Sequence, residues 1–279
     1  MSAPDRRQLA ETFRQLHRAP PILLLPNCWD PMSAHIFEAA GFPAAATTSG
    51  GLAWALGYQD GEKTPWPEVV AATRRIAEAV RVPLTADIEA GYGDTSEAVA
   101  RSVTDIIGAG AVGINLEDGT PDPQQPVRTI EDAAARIRAA RAAADAAGVP
   151  IVINARVDLY LKHVGDEASR FTDTVRRAEA YMAAGADCIF VFAVADLDLI
   201  KKLTAAIKAP INVVGRAGGP GLKALEAAGV ARVSIASGAS MAIMSQIHRI
   251  AEELHQTGEF DILKSSMTRP EAQKLFARD

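Results

Sequence analysis

Residues 146–158 read AAGVPIVINARVD. Two alanines close a helical stretch, and Gly148 after them suits the left-handed conformation that stops a helix. Val149-Pro150 begins a new segment, and Ile151-Val152-Ile153-Asn154-Ala155 is a β-rich run of strand length. The run then ends in charge, at Arg156 and Asp158. The same order recurs along the chain. Helix stops read AAGF at 39–42, GAGAV at 108–112, AAGAD at 183–187 and AAGV at 227–230, each just ahead of another β-rich run.

Eight such runs are present: 22–25, 44–48, 82–86, 112–116, 151–155, 188–192, 211–214 and 232–236. Between them lie helix-length segments, among them 67–80, 96–108, 129–147, 167–184, 197–208 and 221–228. Most runs are continuously apolar rather than alternating, the pattern of parallel strands covered on both faces. Repeated βα units predict a parallel sheet, and eight of them predict closure into a (β/α)8 TIM-type barrel. The alternative, a doubly wound open sheet, would bring a glycine fingerprint after the first strand. Pro26-Asn27-Cys28-Trp29-Asp30 contains no glycine.

The chain has 279 residues, 48% of them apolar, and shows no linker or break in composition, so residues 1–279 read as one barrel domain. An amphipathic helix is expected over about 1–20, with no apolar leader core. A helical tail over about 240–279 is broken near Thr257-Gly258 and restarts near Thr268-Arg269-Pro270-Glu271. The tail helices are extra to the barrel, so they are expected to close it, to cover one end or to reach a neighbouring subunit. The net charge of −5 weighs against a nucleic-acid partner. The basic run Arg136, Arg138, Arg141 reads as a solvated helix face. No window is apolar enough to span a membrane. Two cysteines, Cys28 and Cys188, make no disulfide framework, and a cytoplasmic location is expected.

In a β/α barrel the chemistry sits at the C-terminal ends of the strands. Here those ends are charged: Asp87 and Glu89, then Glu117-Asp118, then Arg156 and Asp158, with Asp60 in the segment after the second run. Converging carboxylates need a cation, a shared proton or an arginine. No histidine closely follows any run, so oxygen donors point to Mg²⁺, or to Mn²⁺, rather than zinc. Arg156 is left free to clamp a carboxylate or phosphate. Thr47-Thr48-Ser49-Gly50-Gly51 reads as a loop whose glycines can offer N–H groups to an anion. The glycines of 215–221 and Ser237-Gly238 fit tight turns better than a phosphate cradle, and His35 and His163 fit packing or surface roles.

Five motifs, in order, carry a resemblance: TTSGGLAWALGYQDG at 47–61, ADIEAGYG at 86–93, GINLEDG at 113–119, INARVD at 153–158 and GVARVSIASG at 229–238. Together they resemble the isocitrate lyase/phosphoenolpyruvate mutase superfamily over about residues 22–237. The resemblance implies that Asp87 is the direct Mg²⁺ ligand. It implies that Glu89 and Glu117 hold the metal mostly through its waters, and that Asp60 joins that network. It also implies that Thr48, Ser49 and Gly50 bind the carboxylate or phosphoryl end of a small-molecule carboxylate substrate, and that Arg156 steadies it. The catalytic groups so implied are Asp60, Glu117 and Arg156. A homo-oligomer, dimer or tetramer, with C-terminal helices exchanged between subunits is implied as well.

The superfamily's shared chemistry makes or breaks a bond to the carbon beside a 2-oxo acid, through a pyruvate-like enolate. The lyases with a basic, cysteine-bearing loop after the fourth strand differ from this chain. Gly119-Thr120-Pro121-Asp122-Pro123-Gln124-Gln125-Pro126 has no Cys, Lys or His. Phe192 and the Val214-Gly215 region stand where those lyases carry further polar groups, so tricarboxylates fit poorly. The expectation is Mg²⁺-dependent carbon–carbon cleavage of a small 2-oxo or 2-hydroxy dicarboxylate, by an oxaloacetate-type decarboxylase or a retro-aldol lyase. A phosphonopyruvate-type C–P enzyme and a catalytically silent 2-oxo-acid-binding barrel are the alternatives.

Overall fold

The structure is a computed structural model and describes residues 5–18 and 20–277. Helix α1 (Arg6–Leu16) leads into β1 (Leu23–Leu25) and β2 (Asn27–Cys28), followed by α2 (Pro31–Ala39) and β3 (Ala45–Thr47). Two helices come next, α3 (Ser49–Leu56) and α4 (Trp66–Ala79). Strands and helices then alternate: β4 (Leu84–Asp87), α5 (Ser96–Ala109), β5 (Gly113–Glu117), α6 (Ile130–Ala146), β6 (Val152–Val157) and α7 (Glu167–Ala183). The series ends with β7 (Cys188–Val191), α8 (Leu197–Ala206), β8 (Ile211–Val214), α9 (Leu222–Ala227) and β9 (Arg232–Ser234). The tail holds α10 (Gly238–Thr257), a short 3-10 turn and α11 (Arg269–Leu275). The six helices expected between the runs lie within two residues of their expected bounds. The glycines of the five helix stops, Gly41, Gly110, Gly148, Gly185 and Gly229, all have positive φ.

The strands form one parallel sheet in the order β1-β9-β8-β7-β6-β5-β4-β3-β2. Its two end segments are consecutive in the chain, separated only by Pro26, so the sheet closes into a (β/α)8-type barrel. Nine segments appear where eight were expected because Pro26 divides the first strand. Proline has no N–H to give to a ladder. Upstream of it β1 pairs with β9, and downstream β2 pairs with β3. Asn27 stitches this seam with its side chain. Its Oδ1 accepts from the Ile235 N–H at 2.8 Å and its Nδ2 donates to the Thr47 carbonyl at 2.9 Å.

The strands are less uniformly apolar than they read. Side chains alternate faces along a strand. In β4, β5 and β6 the residues Ala86, Ile114, Leu116, Ile153 and Ala155 pack in the core shared with the helices. The alternate residues carry the polarity. Asn154 Nδ2 donates to Asn115 Oδ1 at 2.8 Å, and Arg232 reaches the same oxygen from β9 at 3.2 Å. Strands β9 and β5 are not neighbours, so that bond crosses the barrel interior.

Of the basic run on α6 only Arg138 is a solvated residue. Arg136 is buried and donates to the carbonyls of Ala90 (2.7 Å) and Gly93 (2.6 Å), while Arg141 pairs with Asp187 at 2.5 Å. Apolar neighbours on α6 concealed this, because the arginines' partners are backbone carbonyls and an acid distant in sequence.

Helix α1, rather than the tail, covers the N-terminal mouth. A Cβ on Gly113, at the start of β5, would lie 2.7 Å from the Phe13 ring. Phe13 meets His17 edge-on at 4.7 Å, and the Arg232 guanidinium lies 5.9 Å from the Phe13 ring. Residues 1–4 and 19 of the expected N-terminal helix lie outside the described residues, as do 278–279 of the tail. The tail breaks at Gly258 and restarts with a Thr268–Glu271 capping box, as the sequence signals predict. Its α11 rests on α2, where Phe276 meets His35 edge-on at 5.2 Å. No helix among the described residues is long and apolar enough to cross a membrane.

Phe13→Ala removes the fully buried ring that stoppers the barrel. Urea unfolding of this variant should show a loss of about 3–5 kcal/mol. A loss below about 1 kcal/mol would mean that α1 only rests on the barrel.

Candidate active site

The strand register brings the charged ends together. Glu117 and Arg156 are paired residues on β5 and β6, and Asp87 on β4 is paired with Asn115. Arg156 NH1 lies 2.7 Å from Glu117 Oε2. Its other edge is bidentate on Asp158, with Nε to Oδ1 at 2.6 Å and NH2 to Oδ2 at 3.0 Å. Phe192 covers one face of the guanidinium at 3.9 Å. Arg156 is therefore not free, as its sequence context suggested. The hydrogen bonds to Asp158 use the Nε–H and one N–H of NH2, and Glu117 is an ion-pair partner at NH1, so N–H donors remain on the terminal nitrogens.

Asp158 is a participant that the sequence reading passed over as a site residue. It lies two residues beyond Arg156 and so on the same face of the chain, a period-two signal that could have flagged it. Its N–H donates to Asp118 Oδ1 at 2.9 Å. Asp118 in turn accepts from Arg177 NH1 at 2.8 Å and from the Tyr181 hydroxyl at 2.6 Å, so α7 anchors the base of this cluster. Gly119 is required here, since a Cβ would stand 2.5 Å from Asp158 Oδ2.

The segment after β3 is not a loop. Thr48 is the N-cap of α3, and Ser49, Gly50 and Gly51 form its first turn. The Ser49 N–H donates to Asp87 Oδ2 at 3.2 Å, which sets a carboxylate against the positive end of that helix. The Asp87 N–H in turn donates to Thr47 Oγ1 at 2.8 Å. Thr48 and Ser237 share a hydroxyl–hydroxyl bond of 2.8 Å, which ties the ends of β3 and β9. Gly50 lets two groups approach: a Cβ there would lie 2.9 Å from Ser237 Oγ and 3.1 Å from Asp60 Oδ2. Glu89 follows β4, with Oε1 accepting from the Tyr92 hydroxyl at 2.9 Å and Oε2 from the Glu62 N–H at 2.8 Å. Thus Thr48, Ser49, Gly50, Asp60, Asp87, Glu89, Glu117 and Arg156 gather at one mouth. Ser237, Glu62 and Tyr92 are there too; Ser237 and Tyr92 fall inside two of the quoted motifs and Glu62 follows a third, but none of them is a charge at a strand end.

The glycine segment after β8 makes a tight turn, with Gly219 N–H on the Arg216 carbonyl at 3.0 Å. In the 119–127 stretch, Thr120 donates its hydroxyl to the Gln125 carbonyl, and Gly119 bridges Val127. Cys28 and Cys188 are buried, and burial pushes both thiols up to about 12.

Crowding sets the electrostatics. Burial holds the Asp87 carboxyl above its usual range, against the pull of Arg156 and the Ser49 N–H. Burial, then the charges of Asp87 and Asp60, push Glu89 up to about 7. Glu117 is raised well above 4.5 by burial, despite Arg156. Among the described residues no three His, Cys, Asp or Glu side chains form a ready-made cage for a metal ion. The donors are all oxygens, spread around the mouth and short of positive charge. That set fits an ion such as Mg²⁺, which keeps several waters and takes one or two carboxylates.

The family model described as phosphoenolpyruvate phosphomutase matches residues 13–255. The chain belongs to this family. With it, the chain belongs to the isocitrate lyase/phosphoenolpyruvate mutase superfamily. A solved Burkholderia cenocepacia structure, provisionally described as a lyase/mutase, is 33% identical. It superposes with a TM-score of 0.90 and covers 98% of this chain and 97% of its own. Oxaloacetate decarboxylase 2 of Pseudomonas fluorescens is 28% identical over 259 residues, 90% of this chain and 85% of that protein. A phosphonopyruvate hydrolase solved with oxalate and Mg²⁺ is 25% identical with a TM-score of 0.83, over 96% of this chain and 94% of its own. Lyases and mutases are among the proteins similar to this chain.

A carboxyl whose pKa is raised by folding weakens the fold as pH rises. The unfolded chain releases the proton of Glu89 near 4.5, and the folded chain keeps it until about 7. Asp87 and Glu117 are raised too and act in the same direction. Metal-free protein should therefore lose stability to urea between about pH 4.5 and 7, and Glu89→Gln should flatten that slope. Stability rising through this window would contradict the crowding.

Proposed function

We propose that this family member is a Mg²⁺-dependent carbon–carbon lyase that forms a pyruvate-like enolate from a small 2-oxo or 2-hydroxy dicarboxylate. Oxaloacetate-type decarboxylation is the favoured reaction. The observation that carries the reading is Arg156, with N–H donors left over after its bidentate bond to Asp158 and a face closed by Phe192, beside the acidic mouth of Asp87, Glu89 and Glu117.

Mg²⁺, or Mn²⁺ in its place, supplies positive charge to the carboxylate and the enolate oxygen as that charge develops. Asp87 would hold the ion directly, and Glu89 and Glu117 would help to hold it largely through water. The remaining N–H donors of Arg156 hold one substrate carboxylate, and Asp158 keeps the guanidinium turned toward it. Thr48, Ser49 and Gly50, at the start of α3, hold the other end. Phe192 fills the space over Arg156 with an apolar ring, which leaves no partner for a third carboxylate. In decarboxylation the C–C bond breaks, carbon dioxide departs and the electron pair enters the enolate. Only then is a proton needed at carbon, so the missing thiol acid is no obstacle. For a 2-hydroxy substrate, Asp60 or Glu117 would take the hydroxyl proton. Similarity to oxaloacetate decarboxylase 2 and to the hydrolase solved with oxalate and Mg²⁺ supports this reading.

The active form is a homo-oligomer. Helix α10 turns Met241, Ile243, Met244 and Ile247 outward, each roughly half exposed, on a helix with a single buried residue. A contiguous apolar face of this kind marks a protein partner, and a second copy of the chain is the natural occupant. Light scattering should show a dimer or tetramer. Met244→Glu with Ile247→Glu should shift it to a folded, smaller species, whereas an unchanged mass would remove α10 from the interface.

Oxaloacetate, dimethylmalate, methylisocitrate and phosphonopyruvate should be assayed for 2-oxo acid formation or loss with Mg²⁺, with EDTA and in Asp87→Ala. Metal-dependent turnover of oxaloacetate or dimethylmalate is expected, falling by at least about 100-fold in the variant. Turnover of phosphonopyruvate alone would assign C–P chemistry instead. Tight Mg²⁺-dependent oxalate binding without any turnover would make the barrel a binding protein.

A further inference from the structure

Among the described residues, the non-glycine residues with positive φ are Glu62 (57°), Glu89 (51°), Tyr92 (53°), His163, Ala193 and Ala236. The first three lie in one hydrogen-bonded ring at the barrel mouth. Left-handed backbone is costly for such side chains and persists only where surrounding structure enforces it. Here the enforcement is visible. The Glu62 N–H donates to Glu89 Oε2 at 2.8 Å, and the Tyr92 N–H donates to Glu62 Oε1 at 2.7 Å. The Tyr92 hydroxyl donates to Glu89 Oε1 at 2.9 Å. The two bonds of Glu62 thus knit two segments that have no ladder between them, residues 57–65, which carry Asp60, and 88–95, which carry Glu89, and the Tyr92 hydroxyl fixes the Glu89 carboxylate that receives one of them.

The ring is supported on two sides. From α6, Arg136 donates to the carbonyls of Ala90 and Gly93, which brace the 88–95 segment from within the fold. From the start of α4, Trp66 stacks on Tyr92 at 4.7 Å and donates Nε1–H to Asp105 at 2.9 Å. Glu62 and Glu89 are both acids, so in isolation they would push the two segments apart. Tyr92 reverses this by giving one donor to each.

We propose that Glu62 and Tyr92 are positioning residues that latch the Asp60 segment onto the Glu89 segment, and so hold both acids at the spacing the metal-dependent site needs. The proposal deepens the function argued above and rests on it for the metal. The latch itself is a property of the chain and is present before any ion binds. Neither residue touches the substrate. Tyr92→Phe removes one bond of the ring but keeps the backbone donor and the Trp66 stack. Glu62→Gln keeps both the N–H and an acceptor oxygen, whereas Glu62→Ala loses the acceptor.

Two readouts test this. The first is amide exchange of residues 57–65 in metal-free protein, which should quicken by about tenfold in Tyr92→Phe and Glu62→Ala but stay near wild type in Glu62→Gln. The second is Mn²⁺ binding, followed by loss of the free-ion paramagnetic resonance signal. It should weaken about tenfold in the same two variants and be retained in Glu62→Gln. Unchanged exchange in Tyr92→Phe and Glu62→Ala would overturn the latch, whatever the metal does. Faster exchange with unchanged Mn²⁺ binding would overturn its role in setting the site. If wild-type protein fails to bind Mn²⁺ at all, the metal-dependent function falls with that role, while the exchange result still decides the latch.

Discussion

Too many carboxylates for the available positive charge is the condition around which this barrel mouth is organised. Asp87, Glu89, Glu117 and Asp158 meet there with Asp60 at the edge, and Arg156 is the one guanidinium bonded among them. Buried charges of like sign raise one another's pKa, and a single arginine between two acids cannot neutralise a third and a fourth. The remedies in place are partial. Ser49 N–H and the start of α3 face Asp87, and Tyr92 and Glu62 N–H groups face Glu89. None of them supplies a full positive charge. An anionic substrate would enter such a mouth only together with a cation, which makes metal binding and substrate binding a coupled event rather than two separate ones.

The surroundings of Arg156 are densely braced. Arg156 could swing if it were held by Glu117 alone. Asp158 grips it bidentately, and Asp118, Arg177 and Tyr181 fix the Asp158 backbone in turn. Gly119 and Gly50 leave room for carboxylates where any side chain would collide. Such support holds the remaining N–H donors of Arg156 in one orientation, and a group oriented in advance loses little ordering entropy when it binds a ligand. Phe192 over the guanidinium adds an apolar wall without adding charge.

The barrel was legible because its signals are local. Gly148 stops a helix, Ile151–Ala155 reads as a strand, and Arg156 marks that strand's end, all within one short stretch. Charged strand ends led directly to Asp87, Glu89 and Glu117. What stayed hidden is non-local or depends on the face a residue takes. Pro26 splits a strand only because the closing partner, β9, lies about two hundred residues away. Arg136 looked solvated because the carbonyls of Ala90 and Gly93 cannot be seen from α6. Thr47–Gly51 looked like a loop because two glycines usually oppose helix, yet Gly50 opens α3 where Ser237 and Asp60 crowd it. Glu62 lies outside the motifs and Tyr92 stands in ADIEAGYG with nothing local to mark its role, since their pairing is made by two backbone turns that sequence alone does not specify.

The opposite end of the barrel bears on the same electrostatics. His17 donates Nδ1–H to the Phe13 carbonyl at 2.8 Å, since a carbonyl can only accept, so its Nε2 faces Arg232 NH1 at 3.4 Å as an acceptor. Burial, with help from Arg232, lowers His17 to about 3 and keeps it neutral. Arg232 itself is lowered to about 10 by burial and so stays charged at neutral pH, and among the described residues it has no salt bridge. A cation sealed below and a ring of acids above give the barrel axis a fixed polarity, and Asp87 is among the charges that favour protonated Arg232. By reciprocity Arg232 favours an ionised Asp87. The neutral histidine matters for that reason: a carboxylate in its place would spend the field of Arg232 locally, whereas His17 satisfies one N–H and leaves the charge to act up the axis.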